Sequence, residues 1–400
     1  MRRYLVLGIL CSLLLLLVIA VFNVLANPYG YFPVPTWEGF NAKALGFNHR
    51  LRLAKALAID KVRPTTVIIG NSRAEAGYDP AHPGFSERPA YNLAMGGAGI
   101  GEARRYLLET LATGRVRHIV IALDFTMFDA GLWNQGSRAD NALLTDEEGN
   151  PGDATKAWRR LATVLLAGDT LSDSWWSITH QRRLVALYLP SGLRDDAADL
   201  DQVRREGGHR QASLNAEAAF LSSTLKDVQS SAFRQGYRET LDQLRAIAVL
   251  ARERNIRLTL LINPIHARHT YLFETAGLWP AYERWKRDVA ELTREGAELW
   301  DFSAVGTCTA EPLPAPDDAA TAMRWYREIA HFRRALGDEV LNRVLLGLPS
   351  KACGDFGHPL IGGNLDRIFF DQRQALAAWV ASHPLDVAEI DGQARRFRRR

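Results

Sequence analysis

Cysteine is scarce in this chain: Cys11, Cys308 and Cys353 are the only three in 400 residues. Cys11 lies inside an apolar run with no small-residue pattern before it, so it does not read as a lipoprotein site. One disulfide is then the most that the rest of the chain can form. Cys308 and Cys353 can pair in an oxidising compartment. Sequence does not supply the geometry a disulfide needs, so the paired and free states both stay open. A large excess of one charge is also missing, since 49 basic residues face 45 acidic ones and the formal net charge is +4. That balance speaks against a dedicated nucleic-acid binder. Internal repeats and long low-complexity segments are lacking. So is a second long hydrophobic run, which leaves one candidate membrane span.

That one run extends from Tyr4 to Phe22, with Leu13 to Leu17 unbroken and no charge within it. A spanning helix needs about 20 apolar residues at about 1.5 Å rise each. Arg2 and Arg3 precede it, and positive flanks stay cytoplasmic. The expectation is a signal anchor over residues 1–26, single-pass in the inner (cytoplasmic) membrane. The soluble part then lies in the periplasm or extracytoplasmic space. A cleavable signal peptide ending near Val24-Leu25-Ala26 is the alternative; the length of the run favours retention. A buried core helix would lack any polar face. The whole chain is 47% apolar and 24% charged, values that allow a large core.

Residues 27–61 read as an extracytoplasmic connector and first helix. Asn27 to Trp37 is rich in proline and aromatics, a stiff exit from the membrane. Arg50 to Asp60 is amphipathic. From 62 to 385 the pattern is that of an α/β domain. Short buried strands are expected at 65–70, 90–93, 118–123, 256–262 and 299–302. Helices are expected at 101–113, 237–254 and 281–295. This alternation predicts a parallel sheet with helices on both faces. The stretch of about 130–233 breaks the rhythm and reads as a helical insertion, a lid or a docking element. Residues 386–400 end in a basic tail, Arg395-Arg396-Phe397-Arg398-Arg399-Arg400. It reads as a solvated end, or as a contact to anionic lipid or polysaccharide.

Ligands of open parallel sheets bind beyond the carboxyl ends of the strands. The residues expected there are Asn71, Ser72 and Arg73 after the first strand, and Asn92, Gly96 and Gly97 after the second. Asp124 follows the third, Asn263, His266 and His269 the fourth, and Asp301 and Ser303 the fifth. Ser72 is a candidate nucleophile at a strand-to-helix turn; a helix N-cap is the plain alternative. A serine nucleophile needs a base, and His331 with Glu328 three residues earlier supplies a base and an orienting acid. Arg73 reads as a surface ion pair or as a ligand for a sugar acid. His266 and His269, with Asp301, allow a metal-site alternative; otherwise the two histidines line a substrate pocket. Trp325, Trp300, Trp133 and the insertion residues Trp158, Trp175 and Trp176 either stack on sugar rings or fill cores. Gly96-Gly97-Ala98-Gly99 lacks the Lys-Ser/Thr of a phosphate-binding loop.

Gly70-Asn71-Ser72-Arg73, the Gly96-Gly97 turn and Glu328-x-x-His331 together resemble the SGNH/GDSL hydrolase superfamily over roughly Val62 to Leu348, the insertion excluded. The nearest likeness is to its membrane-anchored extracytoplasmic members, related to alginate O-acetylation and teichoic acid D-alanylation proteins. The resemblance implies a flavodoxin-like three-layer α/β/α sandwich. It implies a catalytic Ser72, His331 and Glu328, and an oxyanion hole from the backbone of Ser72 and of Gly96 or Gly97. It requires neither metal nor cofactor. Asn71, Arg73, Asp124, His266, His269 and Trp325 are the substrate-binding candidates. Asn71 and Glu328 stand where the family has aspartate, and Asp124-Phe125-Thr126 carries no Gly-x-Asn motif. The expected function is a serine acyl esterase or O-acyltransferase, acetyl by preference, on a cell-envelope or exported polysaccharide. A membrane O-acyltransferase is a possible partner and nucleic acid is not. The alternatives are a catalytically degenerate glycan- or partner-binding component of an envelope complex, and a metal-dependent periplasmic hydrolase.

Overall fold

The structure is a computed structural model that describes residues 1–129, 142–361 and 363–398. Trp133, the first residues of the expected insertion, and Arg399 and Arg400 lie outside the described residues. The chain divides into two compact units. One comprises Met1–Arg63, Leu108–Gly114 and Arg138–Pro190. The other comprises Pro64–Leu107, Arg115–Ser137 and Ser191–Arg400. The expected insertion is thus shared between the units.

In the first unit, α1 (Arg2–Ala26) is, among the described residues, the one helix long and apolar enough to cross a membrane. Its residues from Tyr4 to Leu17 are exposed, whereas Asn23 and Ala26 are buried. Helices Ala154–Leu166 and Gly168–His180 pack on this buried end. Asn23 Nδ2 donates to the Leu165 carbonyl at 2.9 Å, and Ser174 Oγ donates to Asn23 Oδ1 at 2.8 Å. A polar side chain at the end of an apolar helix is thereby satisfied by protein. The Tyr29 hydroxyl donates to Asp173 at 2.8 Å and draws the chain after α1 onto the same helix. Helix α2 (Leu51–Val62) places Asp60 against Arg160.

The second unit is built on a six-stranded sheet. Its strands are β1 (Thr66–Ile69), β2 (Ala90–Asn92), β3 (His118–Leu123), β4 (Arg257–Ile262), β5 (Glu298–Asp301) and, later, β8 (His358–Pro359), in the order β2-β1-β3-β4-β5-β8. β1 to β5 pair in parallel; β8 runs antiparallel on the edge beside β5. β1 and β3 are buried along their whole length, which explains why they read as unbroken apolar runs. Helix α3 (Ser72–Gly77) follows β1, and α4 (Ile100–Leu111) crosses from β2 to β3. The helix Ser231–Glu253 leads into β4. Chain order reverses between β1 and β3, which makes their carboxyl ends a switch point where a ligand crevice opens.

One feature was not anticipated, and one that the sequence left open is decided. After β5 the chain forms a two-stranded hairpin, β6 (Tyr326–Glu328) and β7 (His331–Phe332), antiparallel to each other. A disulfide joins Cys308 to Cys353 with Cα atoms 5.1 Å apart, and both residues are buried in the same core cluster as Phe302 and Phe356. Arg395 and Arg396 of the basic tail are exposed, as a solvated end requires, but the segment that leads to them is ordered. Pro384–Arg398 is helical, and Asp386 and Glu389 at its start both pair with the buried Arg268.

Candidate active site

The turn after β1 depends on Gly70. A Cβ there would lie 2.6 Å from Ala74 Cβ and 3.0 Å from the Ala122 carbonyl, so only glycine lets β1 enter a helix this close to β3. Asn71 caps α3, accepting from Arg73 N–H at 3.0 Å. Ser72 is the first residue of the helix and not its cap, so its hydroxyl is released from capping. Asn92 at the end of β2 holds the far end of α3. Its amide donates to Ala74 and Tyr78 carbonyls at 2.8 and 2.9 Å. Gly96 comes next to the serine: a Cβ there would lie 3.9 Å from Ser72 Cβ, whereas at Gly97 nothing lies within 4 Å.

The hairpin brings the acid and the base to this serine. Glu328 ends β6, His331 starts β7, and the two are register partners across a two-residue turn. Ser72 Oγ donates to His331 Nε2 at 2.7 Å. His331 Nδ1 donates to Glu328 Oε1, and Ala330 N–H donates to Glu328 Oε2 at 2.6 Å. Arg327 reaches Glu328 Oε1 at 3.3 Å and Asp199 at 3.0 Å. Burial pushes the Glu328 carboxyl up. His331, Arg327 and the Ala330 N–H together outweigh that and bring it down to about 2. The ionised carboxylate therefore takes Nδ1–H and leaves the Nε2 lone pair facing Ser72. That is the tautomer a general base needs.

Arg73 is not free to bind a substrate acid. Its guanidinium pairs with Asp124 and donates from Nε to the Ala330 carbonyl at 2.5 Å. Asn263 donates to the other oxygen of Asp124 at 2.8 Å, and the Tyr78 hydroxyl donates to Asn263 at 2.8 Å. This buried chain ties the ends of β3 and β4 and helix α3 to the turn between Glu328 and His331. Asn263 and Asp124 act there as positioning groups, which a strand-end asparagine and aspartate in sequence did not distinguish from substrate ligands.

A cavity of about 380 Å³ opens over the serine. Asn71, Ser72, Arg73, His269, Glu328 and His331 line it. Its further wall is the helix His209–Ala219 with the π-helical turn Phe220–Thr224, contributing Ala212, Ala216, Ala219 and Phe220. None of these wall residues had a signal in sequence. Gly96, Gly97, Asp124, His266 and Trp325 are not part of the wall. Trp325 packs in the core under the guanidinium of Arg324, and Trp300 borders that core. His266 is buried, donates from Nε2 to the Glu311 carbonyl at 2.8 Å and accepts Arg268 N–H at 3.2 Å. Asp301 is buried against Lys286 Nζ at 2.8 Å, with Ser303 and Gln372 completing its bonds. With two donors so engaged, His266, His269 and Asp301 do not make one metal shell, and no such group occurs among the described residues.

His269 differs from all of these. Its side chain is buried between Phe220 and Phe273, and among the described residues nothing hydrogen-bonds its Nδ1. Burial, then Arg73, hold its imidazole well below the ordinary histidine range. It is a neutral ring in the cavity wall with polar capacity unused.

Burial also lowers His118 and His266, each to about 4. The unfolded chain takes up these protons near pH 6.5, the folded chain only near 4. Their contribution is thus complete above about pH 6.5 and is lost as pH falls toward 4, by up to about 3 kcal/mol per group. Thermal unfolding of the detergent-solubilised chain should show a steep fall in midpoint between pH 7 and pH 4. A flat profile over that interval would contradict the burial of these rings. No family model, curated protein or solved structure matches the chain.

Proposed function

We propose that this chain is an SGNH-like serine acyl esterase or O-acyltransferase. Its acyl group is acetyl and its substrate a cell-envelope or exported polysaccharide. The observation that carries the reading is the Ser72–His331–Glu328 line, with Ser72 Oγ 2.7 Å from His331 Nε2. In this mechanism Ser72 Oγ attacks the ester carbonyl and His331 takes its proton. The tetrahedral oxyanion meets the N–H groups of Ser72 and Gly96. His331 then returns the proton to the leaving alcohol, and water or a sugar hydroxyl releases the acyl group by the reverse steps.

Several features support this reading. The order of the first five strands, 2-1-3-4-5, is that of flavodoxin-like sheets, in keeping with a three-layer α/β/α sandwich. Ser72 and its partners sit at the switch point of that sheet. The cavity wall over Ser72 is small and apolar at Ala212, Ala216 and Ala219, which suits a short acyl group. His269 offers a neutral imidazole to an acceptor hydroxyl, which can both donate to it and accept from it. An apolar N-terminal helix fits attachment at an inner membrane, with the site in the periplasm near polymers under assembly. A catalytically degenerate binding component is the second reading. What favours it is Asp124, which stands where the superfamily has its oxyanion asparagine and is tied to Arg73.

Labelling by a fluorophosphonate probe separates the two. The intact chain should be labelled, and S72A and H331A should not. An unlabelled intact chain would leave the binding reading in place.

A further inference from the structure

The two helices that grip the end of α1 leave an apolar face open. On Ala154–Leu166, Trp158, Leu161, Ala162 and Leu165 recur at spacings of three and four, which is one face of a helix. Trp158 is 69% exposed and Leu161 37%. The opposite face is the one that packs, with Arg160 paired to Asp60 and Val164 in the core. On Gly168–His180, Trp175 is 65% exposed. Two exposed tryptophans with exposed leucines beside them make an apolar surface of the kind that marks an interaction site.

The position of the face identifies the occupant. Asn23 of α1 is held by the Leu165 carbonyl and by Ser174 Oγ. The next residues along the two helices are Leu166, 38% exposed, and Trp175. The exposed face therefore begins where the apolar part of α1 ends. A membrane crossed by α1 has its surface at that level, since the unbroken apolar stretch stops at Phe22. Tryptophan is the residue enriched at headgroup depth, and a helix with one apolar face and a polar opposite face lies in that plane.

We propose that helices Ala154–Leu166 and Gly168–His180 lie on the lipid surface beside α1. Trp158 and Trp175 sit at headgroup depth, and Leu161 and Leu166 reach the upper acyl chains. α1 alone leaves its unit free to swivel about one helix; the added face makes a second attachment that fixes the unit against the bilayer. This inference rests on α1 spanning a membrane and is independent of the serine chemistry.

The test uses the full chain in phosphatidylcholine nanodiscs whose lipids are brominated near the top of the acyl chain. Contact with bromine quenches tryptophan emission, and α1 contains no tryptophan. The intact chain should be quenched. W158F/W175F keeps the face apolar and should cut the quenching about twofold or more. L161E/L166E should reduce it too, by lifting the face, with an unchanged circular dichroism spectrum. Equal quenching in the intact chain and W158F/W175F would overturn the proposal, because the signal would then come from other tryptophans. Absence of quenching, or failure of the chain to enter nanodiscs, would overturn it as well.

Discussion

Glu328→Gln should lower ester turnover by about ten-thousandfold while the chain stays folded. Glutamine keeps the size of the side chain but presents an N–H₂ or a neutral oxygen to His331 Nδ1. The imidazole then loses the partner that fixes its tautomer and stabilises its cation. The corresponding change in a serine protease costs about 10⁴ in kcat. The structure gives a reason to expect a loss of that order here, because Glu328 uses both oxygens, one on His331 and one on Ala330 N–H. Ser72→Ala and His331→Ala should each cost about a millionfold where chemistry limits the rate, and the double variant no more than either alone. Steady-state hydrolysis of an aryl acetate, with circular dichroism on each variant, measures these losses. A Gln variant within about tenfold of the parent would remove Glu328 from the mechanism. The Glu328 carboxyl is held down to about 2 by His331 and Arg327, so its protonation should not shape the rate profile above pH 4.

Arg73→Met should cost about 3–5 kcal/mol of stability, the usual result of leaving one member of a buried ion pair without its partner. Asp124 is 2% exposed and would keep its Asn263 bond but lose the guanidinium paired with it. The Ala330 carbonyl would lose a donor in the same change, so the turn that carries Glu328 and His331 should loosen and turnover should fall with stability. The double variant R73M/D124N should recover part of the stability, since the unpaired charge is then gone. Chemical denaturation of the three variants checks this. The sequence offered another role for Arg73, as a ligand for a sugar acid. Under that role R73M would raise KM and leave stability unchanged, so the two measurements decide between them.

The legible parts of the site were those set by local chain chemistry. A β-branched run ending in Gly70 marks a buried strand that must turn at once, and that places Ser72 beyond the carboxyl end of the sheet. Glu328 and His331 three apart suggested an acid and a base, although the same spacing on a helix would have been a surface pair. The hairpin was not legible, because β6 and β7 are three and two residues long and hold no periodicity. Nor was the roof of the cavity. Ala212, Ala216, Ala219 and Phe220 form an ordinary helix face until the helix is laid over the serine.

Sequence by itself determined the single apolar helix, the strand-helix alternation and the positions of β1, β3 and β4, because hydrophobic periodicity and helix length are local properties. It also drew attention to Ser72, His331 and Glu328. Only the tertiary structure decided what the polar residues around them do. Tyr78 and Asn263 stand 185 residues apart in the chain, yet with Arg73 and Asp124 they join in one buried chain of bonds. His266 and Asp301 turned out to be satisfied by Glu311 and Lys286, leaving His269 with unused capacity. The same holds for Trp158 and Trp175, which the sequence leaves between a core and a sugar site. The reason is common to all of them. The role of a polar or aromatic side chain depends on who satisfies or covers it, and that partner is chosen by packing, not by the residues beside it in the chain.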